Sequence, residues 1–287
     1  MAKHSENNTR KLENNEKIDE FVEKKLKEKN KKRLTIKMLV FLLFFAVFTF
    51  SAVNLVRWAI YNKKSADLIN TLAEESFIEN EIKETNNNNV ETNNVLANKN
   101  PVNFENLEKI NPDTVAWIRI KDTSINYPIV QSSNNEYYLH KDFNKEYSTC
   151  GWIFMDFKNS ENFIDMNTVL YGHNIKSGIM FADLQKILKN ELGNEVIIEI
   201  YTKTEKLEYR VFSSYLKEPD DYAIKSNIVD EGTQNKYINE MLKRSNTVYN
   251  IVPDKSDRLL TLSTCDKSGE NRILIHSVCI GEEKFTN

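Results

Sequence analysis

Read for hydrophobic and polar positions, the chain falls into three textures. The first is a polar stretch of 37 residues followed by Met38–Val56, "MLVFLLFFAVFTFSAVNLV", in which no charge interrupts the apolar run. At about 1.5 Å of rise per residue such a run just crosses a bilayer core, and it predicts a transmembrane helix. A cleaved signal peptide is the rival reading. It fits less well, because the polar segment in front is long for an n-region and the apolar run exceeds a usual h-region. The second texture is Lys64–Glu84, "KSADLINTLAEESFIENEIKE", with apolar residues Leu68, Ile69, Leu72, Phe77 and Ile82 among helix formers. It predicts a helix that is either a stalk or packed on the domain. Residues 85–100, "TNNNNVETNNVLANKN", are an asparagine-dominated tract that cannot bury a core and read as a tether.

The third texture begins at Pro101, where short β-type runs alternate with turn residues: "AWIRI", "YPIV", "GWIFMDF", "NTVLYGH", "EVIIEIYT", "LEYRVFSSYL", "RLLTLSTC" and "RILIHSVCI". About eight strands in one domain predict a closed or nearly closed β-barrel, since an open sheet of that size would leave edges exposed. Two helical stretches interrupt the runs. "GIMFADLQKILKN" follows the run ending in His173; "EGTQNKYINEMLKRS" carries Tyr237, Ile238, Met241 and Leu242 at helical spacing and reads as a core-facing amphipathic helix in a long insertion. The resulting organisation is a basic tail over residues 1–37, an anchor over 38–56, a helical segment and Asn-rich linker over 57–100, and a mainly β domain over 101–287.

Composition changes this picture in two respects. The net charge of -3 hides an asymmetry: residues 1–37 hold 12 Lys/Arg against 7 Asp/Glu, which leaves the remainder strongly acidic. No basic surface dominates the folded part, so nucleic acid is not the expected partner. Residues 21–37 alone carry eight of those cations, and by the positive-inside bias the N-terminus is expected in the cytoplasm and everything after residue 57 outside. The three cysteines, Cys150, Cys265 and Cys279, are too few for a disulfide framework. The four histidines show no metal-ligand spacing, so neither metal nor cofactor is expected.

Chemistry is sought where a thiol can become a thiolate, which needs a neighbouring base or cation. Cys265 ends the run "RLLTLSTC", on the strand face of Thr261 and Ser263 and beside the polar turn "DKSGEN". Cys279, inside "ILIHSVCI", and Cys150, before Gly151, read as small buried hydrophobes. His173 follows a strand directly, in "VLYGHNIKSG", with Gly172 before it to let the backbone turn. A lone histidine is more often structural than catalytic, and His140 and His276 read as loop and strand positions. Arg272 opens the next strand across the turn. Its guanidinium could steady an oxyanion, although a solvated strand-start arginine is the commoner case.

Together these positions resemble the sortase family, class B in particular. The likeness rests on "TLSTC" followed by a strand-opening arginine, on "LYGHN", "YPIVQSSNNEYYLHKDF" and "GWIFMDF", and on the helix-bearing insertion before the cysteine strand, over roughly residues 103–280. It implies a closed sortase-type barrel with N-terminal helices and a membrane anchor. The implied activity is that of a transpeptidase joining surface proteins to peptidoglycan in Gram-positive bacteria. Cys265 would be the nucleophile, His173 the general acid/base and Arg272 the group holding the substrate backbone and oxyanion. The substrates would be surface proteins with a C-terminal sorting signal, cleaved after Thr, and the acceptor a peptidoglycan precursor amine. Tyr171, Ser263, Asn135, Leu139, Tyr222, Ile224 and Asp266 match substrate-lining positions, of which Tyr171 and Ser263 could equally be ordinary strand residues. A pilin-polymerising sortase and a catalytically silent, wall-peptide-binding barrel are the alternatives. No calcium site is expected, because the acidic cluster that class A members use is not evident.

Overall fold

In the computed structural model, the residues described are 2–77, 99–217, 224–264 and 272–286, with side chains from residue 23 onward. The chain divides into two compact units, Met1–Ala59 and Ile60–Asn287. Helix α1 runs without a break over Ala2–Ser76, so the polar tail, the apolar run and the first part of the 64–84 helix are one element. Its apolar stretch is bare on every side, with Phe44 70% and Phe48 69% exposed. By length and composition this helix can cross a membrane.

The end of α1 is packed, which resolves the choice between stalk and docked helix for residues up to 77. Leu72 is buried, and Leu68, Ile69, Ala73 and Phe77 lie against the barrel's core. The Phe77 ring stands 5.6 Å from Trp117 and meets Tyr201 edge-on at 5.3 Å. Residues 78–98, which include the rest of the expected helix and most of the Asn-rich tract, lie outside the described residues. The tract's last residue is fixed: the Asn100 side-chain amide donates to the Thr202 carbonyl at 2.9 Å.

Helix α2 (Phe104–Ile110), started by the Asn103 side chain accepting from the Asn106 N–H, leads into the barrel. Its strands are β1 (Thr114–Ile120), β2 (Asn126–Gln131), β3 (Phe154–Met155), β4 (Asn167–Gly172), β5 (Ile197–Tyr201), β6 (Glu205–Lys217), β7 (Leu259–Thr264) and β8 (Arg272–Lys284). They close in the order β1-β2-β3-β4-β7-β8-β6-β5. The pairs β2/β3 and β4/β7 are parallel; the remaining pairs, including β5 with β1, are antiparallel. Two irregularities in the β6/β8 ladder, at Glu208/Tyr209 and Val211/Ser213, let those 13-residue strands bend around the closed sheet.

Each of the eight apolar runs contains a strand, but "GWIFMDF" shrinks to Phe154–Met155. Trp152 and Ile153 are buried without joining a ladder; the Trp152 N–H is taken instead by the carbonyl of Tyr138, in a single 3-10 turn over Tyr137–Leu139. The stretch after His173 likewise yields only a short helix, α3 (Leu184–Leu188). The insertion supplies α4 (Glu231–Arg244), capped by Asp230, which accepts from the Thr233 N–H at 2.8 Å.

Period-two alternation on β7 and β8 splits the apolar side chains between two cores. Leu260, Leu262, Ile273 and Ile275 fill the barrel interior, whereas Leu259, Leu274 and Val278 face outward and are covered by Tyr237, Ile238 and Met241 of α4. The outward face is therefore closed at one end by a helix. Ser263, opposite Leu274 on the same face and buried as well, stands near the end of β7.

Candidate active site

Three strands present matching positions at that end. In the parallel pair β4/β7, Tyr171 stands opposite Ser263 and Gly172 opposite Thr264; in the antiparallel pair β7/β8, Ser263 stands opposite Leu274. Phe154 of β3 pairs with Tyr171 and packs against it, ring centroids 5.3 Å apart. Phe154, Tyr171, Ser263 and Leu274 thus form one row across four strands. Beyond the row the strands give out: β4 leads into His173, β7 ends at Thr264, and β8 begins at Arg272.

His173 is 8% exposed, and its Nε2 lies 3.0 Å from the carbonyl oxygen of Leu139. A carbonyl can only accept, so Nε2 is the donor in this bond. The His173 backbone is held as well, its carbonyl accepting from the Phe181 N–H at 2.9 Å. Two glycines make room for this arrangement. A Cβ on Gly172 would stand 2.8 Å from the Phe181 ring, so its smallness is needed for close packing. Gly151, at φ +57°, would place a Cβ 2.8 Å from the His173 ring and 2.6 Å from the Tyr138 carbonyl.

Arg272 is half-buried at the start of β8, opposite Lys217 of β6. Burial, then the charges of Arg272 and Arg244, pull the Lys217 ammonium below its ordinary value. Among the described residues, Arg272, Lys217 and Arg244 are therefore like charges near one another at this corner. The two described cysteines lie elsewhere. Cys150 is buried and donates to Asn62 Oδ1 at 3.1 Å; Cys279 is half-buried beside Arg258. Burial pushes both thiols up, away from thiolate character.

The expected lining residues fare unequally. Tyr171 is half-exposed and donates its hydroxyl to Asp156 Oδ2 at 2.9 Å; Asn135 donates its amide to the same oxygen at 3.0 Å. Asp156 brings these two together, and it is a residue the sequence reading overlooked. The one signal was a lone acid closing the apolar run "GWIFM". Leu139 is half-buried and contributes its carbonyl to His173. Ser263 lies beside Tyr171 but is fully buried, its hydroxyl 3.5 Å from the Thr264 carbonyl, so it offers a ligand no open surface. Ile224 is half-buried and packs on the cluster beneath α4. Cys265, Asp266 and Tyr222 lie outside the described residues.

Residues 118–279 match the Sortase domain family. The chain belongs to the sortase family. Sortases are cysteine transpeptidases, and within the family the similarity is to class B. A sortase B of Listeria monocytogenes is 38% identical over 161 residues, which cover 56% of this chain and 65% of that protein. The chain thus spans just under two thirds of that relative's length. A Staphylococcus aureus sortase B–substrate complex superposes with a TM-score of 0.58 at 35% identity, over 62% of this chain and 84% of that one. A sortase B complexed with triglycine gives a TM-score of 0.58 at 34% identity, over 62% of this chain and 85% of that one. The closed eight-stranded barrel is the architecture expected from the resemblance.

Proposed function

We propose that this sortase is a membrane-anchored cysteine transpeptidase with Cys265 as nucleophile, His173 as general acid/base and Arg272 as the oxyanion and backbone clamp. The observation that carries the reading is the row Tyr171–Ser263–Leu274. In the sequence Tyr171 stands two residues before His173, Ser263 two before Cys265 and Leu274 two after Arg272, so the row supports assigning these three positions to one site. Residues two apart on a strand share a face.

The chemistry follows from these roles. The Cys265 thiolate adds to the carbonyl carbon of a threonine in a C-terminal sorting signal, and the Arg272 guanidinium donates to the oxygen that gains charge. As the C–N bond breaks, protonated His173 delivers a proton to the departing amine, leaving a thioester. An incoming primary amine then loses its proton to His173, forms the new C–N bond and expels the Cys265 thiolate. A sortase B complexed with triglycine supports an amine-bearing acceptor, which we assign to a peptidoglycan precursor. A sortase B–substrate complex supports a sorting-signal peptide as donor. The apolar run of α1 would be the anchor, with the cation-rich segment before it in the cytoplasm and the barrel outside.

The test uses the full-length protein in detergent micelles with fluorogenic peptides bearing candidate sorting motifs, with and without an amine acceptor. Cys265→Ala should cut turnover by about a thousandfold or more. Equal rates for wild type and variant would overturn the cysteine mechanism.

A further inference from the structure

Asp156 stands just past the end of β3 and is 4% exposed, yet its carboxylate lies among side chains of the candidate groove. A buried carboxylate is tolerated only when donors replace its lost water. Three do so here. The Lys158 N–H reaches Oδ1 at 2.9 Å, and Oδ2 receives the Asn135 amide at 3.0 Å and the Tyr171 hydroxyl at 2.9 Å. Its backbone is held on both sides: the N–H donates to the Val169 carbonyl at 2.9 Å, and the carbonyl accepts the Gln131 side-chain amide at 2.8 Å.

An ionised carboxylate accepts and never donates, so it settles the polarity of both neighbours. The Tyr171 hydroxyl must spend its proton on Asp156, and any further bond at that oxygen is one it accepts. Asn135 must turn its NH₂ toward Asp156. Its Oδ1 is committed in turn to the Phe157 N–H at 3.0 Å, which locks the amide against a flip. Tyr171 sits two residues before His173 and opposite Ser263, within the row from which the reactive positions extend.

We infer that Asp156 is a positioning residue for the peptide donor. It holds the Tyr171 hydroxyl as an acceptor and the Asn135 amide in one orientation, so that a peptide entering the groove meets a fixed hydrogen-bonding pattern. Charge-assisted hydrogen bonds of this kind are the strong ones, and buried they act cooperatively. The inference rests on the functional reading above and adds to it a residue that does not touch the reacting atoms.

The test compares wild type, Asp156→Asn, Tyr171→Phe and the double variant, all full-length in detergent micelles. Two rates are read: turnover of a fluorogenic sorting peptide, and modification of the Cys265 thiol by a small methanethiosulfonate, corrected with Cys265→Ala. Asp156→Asn keeps the side chain's volume and should raise KM about tenfold while kcat stays within about twofold. Tyr171→Phe should raise KM similarly, and the double variant should be no worse than Asp156→Asn alone, because both remove one shared interaction. Thiol modification should stay within about twofold in all of them. An unchanged KM in Asp156→Asn, or losses that multiply in the double variant, would overturn the assignment. So would a fall in thiol reactivity and melting temperature that tracks the KM change, since that marks a general loss of structure. Should Asp156→Asn not fold, Tyr171→Phe with Asn135→Ala reads the same coupling from the partners' side. Wild type without Cys265-dependent turnover defeats the functional reading itself, and the assignment falls with it; normal wild-type turnover with an inert Asp156 defeats the assignment alone.

Discussion

Two histidines on this barrel have opposite surroundings. His276, in the middle of β8, is enclosed by α4: its ring lies 5.5 Å from Tyr215, 5.7 Å from Tyr237 and 6.2 Å from Phe212. The Thr261 hydroxyl donates to Asn167 Oδ1 at 2.9 Å and so can only accept from His276 Nδ1, at 2.9 Å; the Tyr215 hydroxyl, which also reaches Met241 Sδ at 3.1 Å, lies 3.3 Å from Nε2. Burial, then the charge of Arg244, pulls the imidazole down to about 3. Both ring nitrogens are spoken for and the charged form is forbidden, so the ring serves as packing and as a pin between β7, β8 and α4. His173 sits where β4 runs out, with Nε2 donating to the Leu139 carbonyl. The same residue type on the same sheet is enclosed beneath a helix in one place and, at a strand end, is the position proposed above as general acid/base. Position on the sheet makes the difference, not the imidazole itself.

The largest effect should come from exchanging the two roles in a single experiment. His173→Gln is expected to lower turnover about a thousandfold with little change in stability, because general acid/base transfer is lost. His276→Gln should leave turnover within about threefold but cost about 2–3 kcal/mol in denaturant unfolding, through a buried network left partly unpaired. If both variants behave alike in both measurements, the contrast is wrong.

A smaller effect sharpens the His173 side. Gly151→Ala forces a Cβ into a left-handed position, 2.8 Å from both the His173 ring and the Leu139 carbonyl. It should lower kcat some tenfold or more by displacing the imidazole from its carbonyl, with a stability loss of about 1–3 kcal/mol. An active Gly151→Ala with an unchanged pH profile would show that the contact does not set the ring's position.

The smallest effect concerns pH and sharpens the His276 side. Its folded value lies below the unfolded value of about 6.5, so the unfolded chain takes up the proton first and stability falls as pH drops below that value. Between pH 7 and pH 5 this single group should cost about 2 kcal/mol, read as a melting temperature that falls more in wild type than in His276→Gln. Parallel pH dependence in the two proteins would mean that His276 is not held neutral.

Much of the fold was legible because burial writes a period into a strand. "RLLTLSTC" and "RILIHSVCI" alternate, and the two alternating sets of side chains enter two different cores. Helix α4 was legible for the same reason, from Tyr237, Ile238 and Met241. The short β3 was not, since Trp152 and Ile153 are as apolar as strand residues, while the Trp152 N–H goes to the turn at Tyr138. Nor was the docking of α1, whose Leu72 and Phe77 would look the same on a free amphipathic stalk.

At the candidate site, the sequence by itself determined which side chains are chemically able to act: a histidine after a strand, a thiol at the end of another, an arginine opening a third. Those are properties of residue type and position in a run, and local patterns carry them. Only the tertiary structure decided that β4 and β7 lie side by side in parallel, with Gly172 opposite Thr264 across some ninety residues of chain, and that Asp156 reaches both Tyr171 and Asn135. Register between distant strands is fixed by the packing of two cores and by the closure of the barrel. No local stretch of sequence contains that information, because each strand alone would alternate identically in any register shifted by two.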